Sequence, residues 1–429
     1  MTLHELKQDM EGCARCSHCK WVPHLQIKSW RYAKVCPSVD RYHFHSYSGG
    51  GKMNMANSYV DGRSELSDTV AQVVYRCQLC GACQVSCQCY RDDIDLADVL
   101  LAFRSTCVEQ GYVLPEHLEM IESMKREDNT LYMKKADRGK WADGLDLIDI
   151  NTARAETLFH AGCRYSYDED LRDIVRSTAM LFRSSGVRLG IAGKDEACCG
   201  GRAYQMGFKT RLTDYADDFI GRVKASGART VVVMCSDCNG AFKHHYARAG
   251  KKLEHVEILH ISEYLQRLVR EGRVAFKRAV PMKITYHDPC NLGRMGEPGI
   301  PWQGEYRRLE PHIFAPVPEK PMYIGLQGCY EPPREILKAI PGIELIEMER
   351  NRINSWCCGA GAGALEAYED FAAFSAAERI DEARSTGAEA LVTACPWCER
   401  NFKDTLKKTG QAMGVYDIME LVDLAMGGE

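Results

Sequence analysis

Twenty-one of the 429 residues are cysteine, and their spacing points to metal ligation. Cys77-x2-Cys80-x2-Cys83-x3-Cys87 has the spacing of a bacterial two-cluster iron–sulfur run, apart from lacking a proline after the fourth cysteine. Three thiolates two residues apart can wrap one face of a small cluster while turn N–H groups donate to its sulfurs. Upstream, Cys13-x2-Cys16-x2-Cys19 repeats the pattern, and Cys36, followed by Pro37, offers a fourth thiolate after a sixteen-residue insertion. The fourth cysteine of such runs crosses to the other cluster. Cys13, Cys16, Cys19 and Cys87 are therefore expected to hold one cubane [4Fe-4S] cluster, and Cys36, Cys77, Cys80 and Cys83 a second. Cys89 competes with Cys87, and spacing favours Cys87. Zinc fits the doubled C-x2-C-x2-C poorly.

Two further groups offer five cysteines each. Cys163 is followed after 34 residues by Cys198-Cys199, and after 35 more by Cys235-x2-Cys238. Downstream, Cys357-Cys358 is followed after 36 residues by Cys395-x2-Cys398. Its fifth ligand has two candidates: Cys290 in HDPCNLGR, 66 residues before the pair, and Cys329 in LQGCYEPPRE, 27 residues before it. An insertion covering 296–324 is the simplest account, and Cys290 is the expected ligand. Five thiolates exceed what a cubane uses, and a vicinal pair strains a tetrahedral chelate. Five ligands suit an iron–sulfur assembly that is not a cube, with one thiolate bridging two irons. Cys89, Cys107 and Cys329 are left over and read as small buried hydrophobes.

The elements that carry these groups repeat. SGARTVVVMCSDCNGAFK (226–243) and TGAEALVTACPWCERNFK (386–403) share seven of eighteen positions, and Cys198-Cys199-Gly200 recurs as Cys357-Cys358-Gly359. VVVMC and ALVTAC read as buried strands, each after a helical segment that stops at Gly227 or Gly387. TLFHAGC and KITYHDPC read as first strands ending in a cysteine loop. Alternating strands and helices imply a mostly parallel sheet with its cysteines at the carboxyl ends of the strands. The expected organisation is a mainly helical ferredoxin-type domain (1–110), a helical linker (111–152) containing the amphipathic EHLEMIESMKRED, and two tandem α/β modules (153–277 and 278–429).

Composition narrows the class. The 45% apolar and 27% charged residues are those of a globular protein, and the net charge of -4 argues against a general nucleic-acid partner. The N-terminus lacks the basic start and apolar run of a secretory signal. No run approaches the ~18 apolar residues of a membrane-spanning segment. A cytoplasmic location is expected, where thiols stay reduced and so many cysteines serve as ligands rather than disulfides.

The C–CCG–CxxC pattern resembles the cysteine-rich CCG domain of the heterodisulfide reductase family. The tandem pair behind a two-cluster domain is similar to its D-type subunit. The inserted motif CARCSHCKWVP…VCPS, with YSGGGKMNMA, is most similar to the D-like protein accompanying class II benzoyl-CoA reductase. This resemblance implies that each five-cysteine group holds a noncubane [4Fe-4S] cluster, the two facing each other across a pseudo-twofold axis and cleaving a disulfide between them, so the ten module cysteines would be catalytic. It also implies a flavin-containing A-like or other redox subunit as partner, and a small-molecule disulfide as substrate. The alternative is a pure electron-transfer subunit serving a quinone-linked or other redox partner.

Weaker signals remain. Gly359-x-Gly361-x-x-Ala364 matches a dinucleotide fingerprint formally but follows no convincing strand, and its glycines are expected to let backbone approach a cluster. KHHYARAGKK (243–252) reads as a solvated helix face. His160 and His287, before the first cysteine of each module, read as packing or as hydrogen-bond partners of a cluster.

Overall fold

The computed structural model describes every residue except Pro301, Pro311, His312, Met322, Ile324, Gly428 and Glu429. Most of these lie in the expected 296–324 insertion, so that part of the reading falls partly outside the described residues.

The N-terminal region is built of short helices around the buried helix Leu96–Glu109, whose Val99, Leu100 and Phe103 pack with Leu3, Leu6 and Met53. The triple glycine opens the helix Gly49–Val60, with the Ser48 hydroxyl accepting the Gly51 N–H at 2.9 Å. That start needs glycine, because a Cβ on Gly51 would sit 2.0 Å from the His45 carbonyl oxygen. The amphipathic helix follows as Pro115–Glu127 and buries His117, Met120, Ile121 and Met124.

Two parallel sheets come next. The first runs β1 (Ile148–Asp149), β3 (Leu189–Ile191), β2 (Thr157–His160), β4 (Thr230–Val233), β5 (Glu257–His260) across its width. Its edge strand β1 comes from the end of the segment expected to be linker. The second sheet runs β9 (Ile343–Leu345), β6 (Met282–His287), β10 (Ala390–Thr393), β11 (Gly414–Asp417). Setting β1 aside, the two orders are the same: the first strand is central, flanked by the second and third, with the fourth outside. Registers agree too, with His160 opposite Val233 and His287 opposite Thr393 at the strand ends. β-branched and aliphatic residues fill β4 and β10, which are buried on both faces as a parallel sheet requires.

The protein is thus α/β, with two sheet-bearing modules behind a helical domain. An antiparallel hairpin, β7 (Glu305–Glu310) and β8 (Ile313–Val317), interrupts the second module. It is tied back to the N-terminal domain, because Lys320 pairs with buried Asp9 at 2.7 Å and the Tyr306 hydroxyl reaches the same carboxylate at 3.3 Å. Residues 243–252 differ from expectation: His244, His245 and Tyr246 are buried, and only part of the run faces solvent. A π-helical turn at Ala241–His245 rotates the two histidines inward.

Candidate metal centres

In an open parallel sheet, functional groups gather beyond the carboxyl ends of the strands, where strand order reverses. Here β2, β3 and β4 lead into Cys163, Cys198-Cys199 and Cys235, and β6, β9 and β10 lead into Cys290, Cys357-Cys358 and Cys395. Cys290 therefore holds the position in the second module that Cys163 holds in the first. Its thiol hydrogen-bonds Cys357, whereas the Cys329 sulfur lies 3.6 Å from the Ser262 hydroxyl of the first module. The hairpin explains the misleading chain distance, since it loops out between the first strand and the rest of its sheet.

The ten module thiols form one continuous file. All of them are free thiols: Cys163 lies beside Cys198, Cys198 beside Cys199, Cys199 beside Cys238, and Cys238 beside Cys235. Cys235 then meets Cys395, its own counterpart in the repeat. The file continues through Cys398, Cys358 and Cys357 to Cys290. Contact between equivalent residues is what a twofold relation between the modules produces. At the far end Cys357 also lies beside Cys80 of the N-terminal domain.

In that domain Cys87 lies in electrostatic contact with Cys13, Cys16 and Cys19. Cys36 lies with Cys77 and Cys80, and Cys83 beside all three. Cys89 is exposed, and Cys107 is buried beside Arg104. Burial pushes the Cys36 and Cys87 thiols up to about 12, so a ligand role requires a metal to displace the proton. Cys80 runs the other way, down to about 6, chiefly through the Cys357 hydrogen bond. Cys199 is held down to about 5 by hydrogen bonds from Cys198 and Cys238.

The donor set fits anionic iron–sulfur groups. Backbone N–H groups already point at sulfur: Gly50 to Cys19 at 3.3 Å, Leu79 to Cys77 at 3.4 Å, Gly200 to Cys198 at 3.5 Å and Gly359 to Cys357 at 3.4 Å. In both modules the glycine after the cysteine pair has positive φ, 73° at Gly200 and 96° at Gly359. That conformation turns its N–H back on the first sulfur, which accounts for the third letter of the motif. A Cβ on Gly359 would lie 2.3 Å from the Ala372 carbonyl oxygen. Gly361 serves close approach as well, since a Cβ there would meet the Gln78 carbonyl at 3.0 Å, between Cys77 and Leu79.

The two histidines behave differently. Arg379 Nε donates to His287 Nδ1 at 3.1 Å, leaving the other ring nitrogen to hydrogen-bond Cys358. Ligand atoms of His287, Cys358 and Cys398 lie within 4.8 Å of one another. His160 instead approaches Glu196 at 3.6 Å and packs edge-on to Phe242. In the first module Arg138 takes over, reaching Cys163 Sγ at 3.5 Å while Glu196 holds its guanidinium at 2.8 Å.

Sequence reasoning missed two arginines at the junction of domain and modules. Arg294, fully buried, donates to the carbonyls of Cys80 (2.8 Å), Ile353 (2.9 Å) and Ser355 (2.7 Å). Arg104 donates to Gln205 (2.9 Å), Ala362 (2.8 Å) and Tyr75 (3.1 Å) carbonyls, tying the helical domain to both modules. Neither has a carboxylate partner among the described residues, and the acidic groups acting on them are thiols and phenols: Cys77, Tyr75 and Cys107 first for Arg104, and Cys80 and Cys290 first for Arg294. A buried unpaired cation is costly. An anionic cluster held by the neighbouring cysteines would supply its counter-charge.

Over the junction of the modules, Trp397 is sandwiched between Arg202 (3.8 Å to the ring centre) and Arg164 (4.2 Å). Glu366 pins Arg202 through both carboxylate oxygens at 2.5 and 2.7 Å.

Known proteins carry the same pieces. The cysteine-rich (CCG) domain family matches residues 157–243 and 323–403, and the 4Fe-4S dicluster domain family matches 9–90. The D-type component of the dihydromethanophenazine:CoB–CoM heterodisulfide reductase of Methanosarcina acetivorans is 27% identical over 430 residues, covering 98% of this chain and 94% of its own. The probable iron-sulfur-binding oxidoreductase FadF of Bacillus subtilis is 25% identical over 97% of this chain and 56% of its own. The EtfAB:quinone oxidoreductase of Syntrophomonas wolfei is 26% identical over 85% of this chain and 48% of its own. No helix among the described residues is long and apolar enough to cross a membrane. With two cysteine-rich domains behind a 4Fe-4S dicluster domain, and similarity to D-type heterodisulfide reductase subunits along almost its whole length, the chain is an iron–sulfur oxidoreductase subunit of that type.

Proposed function

We propose that the chain holds four clusters and passes electrons between a redox partner and a disulfide site at the meeting of its two modules. Cys13, Cys16, Cys19 and Cys87 would hold an outer cubane, and Cys36, Cys77, Cys80 and Cys83 an inner one. Cys163, Cys198, Cys199, Cys235 and Cys238 would hold one noncubane cluster, and Cys290, Cys357, Cys358, Cys395 and Cys398 the other. The observation that carries this reading is the unbroken file of thiols from Cys80 through Cys357 to Cys235 and Cys163.

When bound, the clusters supply one-electron steps, which lets a two-electron conversion be divided. The residues do the rest. Glycine N–H groups and His287 donate to sulfur, Arg294 and Arg104 balance charge at the entry to the second module, and burial of all but one module cysteine keeps water out. Over the full reaction the S–S bond breaks, two electrons arrive from the partner and two protons from solvent, and two thiols leave. The partner is expected to be a flavin-containing subunit, because the sequence offers no convincing flavin or nicotinamide site. A complex of anaerobic benzoyl-CoA reduction is the proposed setting, on the resemblance of the inserted N-terminal motif.

One observation favours a second reading, electron transfer without substrate chemistry: Cys235 and Cys395, where the modules meet, are buried, and so is Trp397 beside Arg202 and Arg164. Anaerobic purification, iron and sulfide analysis and EPR before and after adding a disulfide separate the two. About sixteen iron per chain, the content of four four-iron clusters, with a disulfide re-oxidising the reduced protein, supports the first. Oxidation by a partner protein alone supports the second.

A further inference from the structure

The insertion between Cys19 and Cys36 has two faces with different tasks. Its ends pair as a short antiparallel ribbon, with Val22 N–H donating to Ala33 at 2.8 Å and Val35 N–H to Lys20 at 3.0 Å. Inward, Val22 and Val35 pack on Cys80, Ala82 and Cys357, roofing the contact between the helical domain and the second module. The second module also grips the loop itself. Arg31 pairs with Glu378 (2.8 Å) and Asp381 (2.6 Å), Arg350 donates to the Lys34 carbonyl at 3.0 Å, and Asn354 to Gln26 at 2.6 Å.

Outward, this fixed loop presents side chains that nothing among the described residues covers. Leu25 is 101% exposed and Trp30 83%. His24, beside Leu25, packs at 4.8 Å on His18, which precedes Cys19, so the patch adjoins the outer cysteine run whose Cys16 is exposed. Residues 13–45 hold six Lys and Arg and one acid, Asp40; Arg31, Lys34 and Arg41 are paired with Glu378 and Asp381, Asp40 and Asp370, which leaves Arg15, Lys20 and Lys28 as the net positive charge of this face. Lys20 and Lys28 make no ion pair among the described residues, and Arg15 is held only by the neutral Asn54 side chain at 3.0 Å. Large apolar side chains held out rigidly within a basic field mark a contact surface.

We infer that the 20–35 loop is the docking platform for an acidic electron-carrying flavoprotein, seated over Leu25 and Trp30 and aligned by Lys20 and Lys28, which delivers electrons at the Cys16 edge. The inference rests on the electron-relay reading above and adds where the partner sits and what surface it must have. An acidic protein is favoured over a lipid surface because the patch borders the exposed cysteine of the outer run, where a carrier must come close.

Stopped-flow reduction of the anaerobic holoprotein by fully reduced flavodoxin, an acidic one-electron donor, tests it, with reduced methyl viologen as a donor that needs no docking. Lys20→Glu/Lys28→Glu should slow the flavodoxin reaction about tenfold and flatten its ionic-strength dependence. Leu25→Ser/Trp30→Ala should slow it at least about tenfold, as loss of an aromatic anchor does. Viologen rates should stay unchanged for both pairs. Flavodoxin rates that do not move overturn the inference while leaving the relay intact. Equal slowing by viologen overturns it too, because the loop would then act on the centres themselves. Trp30-dependent flotation with phosphatidylglycerol vesicles, at unchanged flavodoxin rates, overturns it in favour of a lipid surface.

Discussion

Replacing Arg294 with methionine should lower the reduction potentials of two centres and leave the other two in place. The guanidinium binds three carbonyls, the Cys80 carbonyl among them, and has one buried Nη2 without a partner. Its positive charge acts on Cys80, Cys290 and Cys357, which belong to the proposed inner cubane and the second module. Reduction adds negative charge, so removing a nearby cation makes it harder. A unit charge at contact range is worth ~4 kcal/mol at an effective dielectric of 20. Intervening peptide groups and relaxation of the freed carbonyls leave roughly a third of that. About 1.4 kcal/mol for one electron corresponds to a shift of about 59 mV to more negative potential. EPR-monitored potentiometric titration reads each centre separately, and iron content confirms loading. The outer cubane and the first module, remote from Arg294, serve as internal references. Arg294→Lys keeps the charge but not the three-carbonyl fork and should shift by less than the methionine variant. An unchanged potential at full iron content refutes the counter-charge argument, and so does an equal shift of all four centres.

Other consequences follow from the same geometry. Cys290→Ala should reduce iron from about sixteen to about twelve per chain, whereas Cys329→Ala should leave it unchanged; the opposite pattern would move the fifth ligand of the second module to Cys329. Gly359→Ala places a Cβ 2.3 Å from a backbone oxygen at a φ of 96°, and should cost about 2–5 kcal/mol and empty the second module. Gly200→Ala meets Tyr215 side-chain atoms at 3.2 and 3.3 Å and the Leu212 Cα at 3.3 Å, a milder clash that should cost less in thermal unfolding. Burial holds His117, His245 and His260 down to about 3 and His244 to about 4. Such histidines stay neutral when folded but take up protons when unfolded below about pH 6.5. Stability should therefore be intact above that pH and fall by about 1.4 kcal/mol per unit per histidine as pH drops toward 4. A denaturation midpoint flat between pH 6.5 and 4.5 would show that these histidines are not buried as neutral groups.

What can be read from the sequence is what repeats. Two copies of a C–CCG–CxxC pattern with strand-like runs before the cysteines suffice to place six loops at the carboxyl ends of two parallel sheets, because burial on both faces leaves β-branched runs such as VVVM and ALVT few other places. Isolated residues carry no such signal. Arg104 and Arg294 are two of 55 Lys and Arg, and only the tertiary fold turns them into cations sealed among carbonyls beside thiols. The 243–252 run misleads for the same reason, since its basic composition describes a solvated face while a π-helical turn buries His244 and His245.

The asymmetry between the repeats is equally hidden, and it bears most on direction of flow. The cysteine patterns are nearly interchangeable, yet among the described residues it is the second module whose cysteine, Cys357, touches a cysteine of the N-terminal domain, Cys80. It is also the module whose histidine, His287, bonds a cysteine, and the one roofed by Val22 and Val35. The first module's half of the thiol file joins the second module's half where Cys235 meets Cys395. An electron arriving at the outer run would therefore reach the second module before the first, so the two copies of one ancestral site have become a near and a far half. Separate substitutions at Cys290 and Cys163 would distinguish them: loss of the near half should isolate the far one from the donor, while loss of the far half should leave the near one reducible.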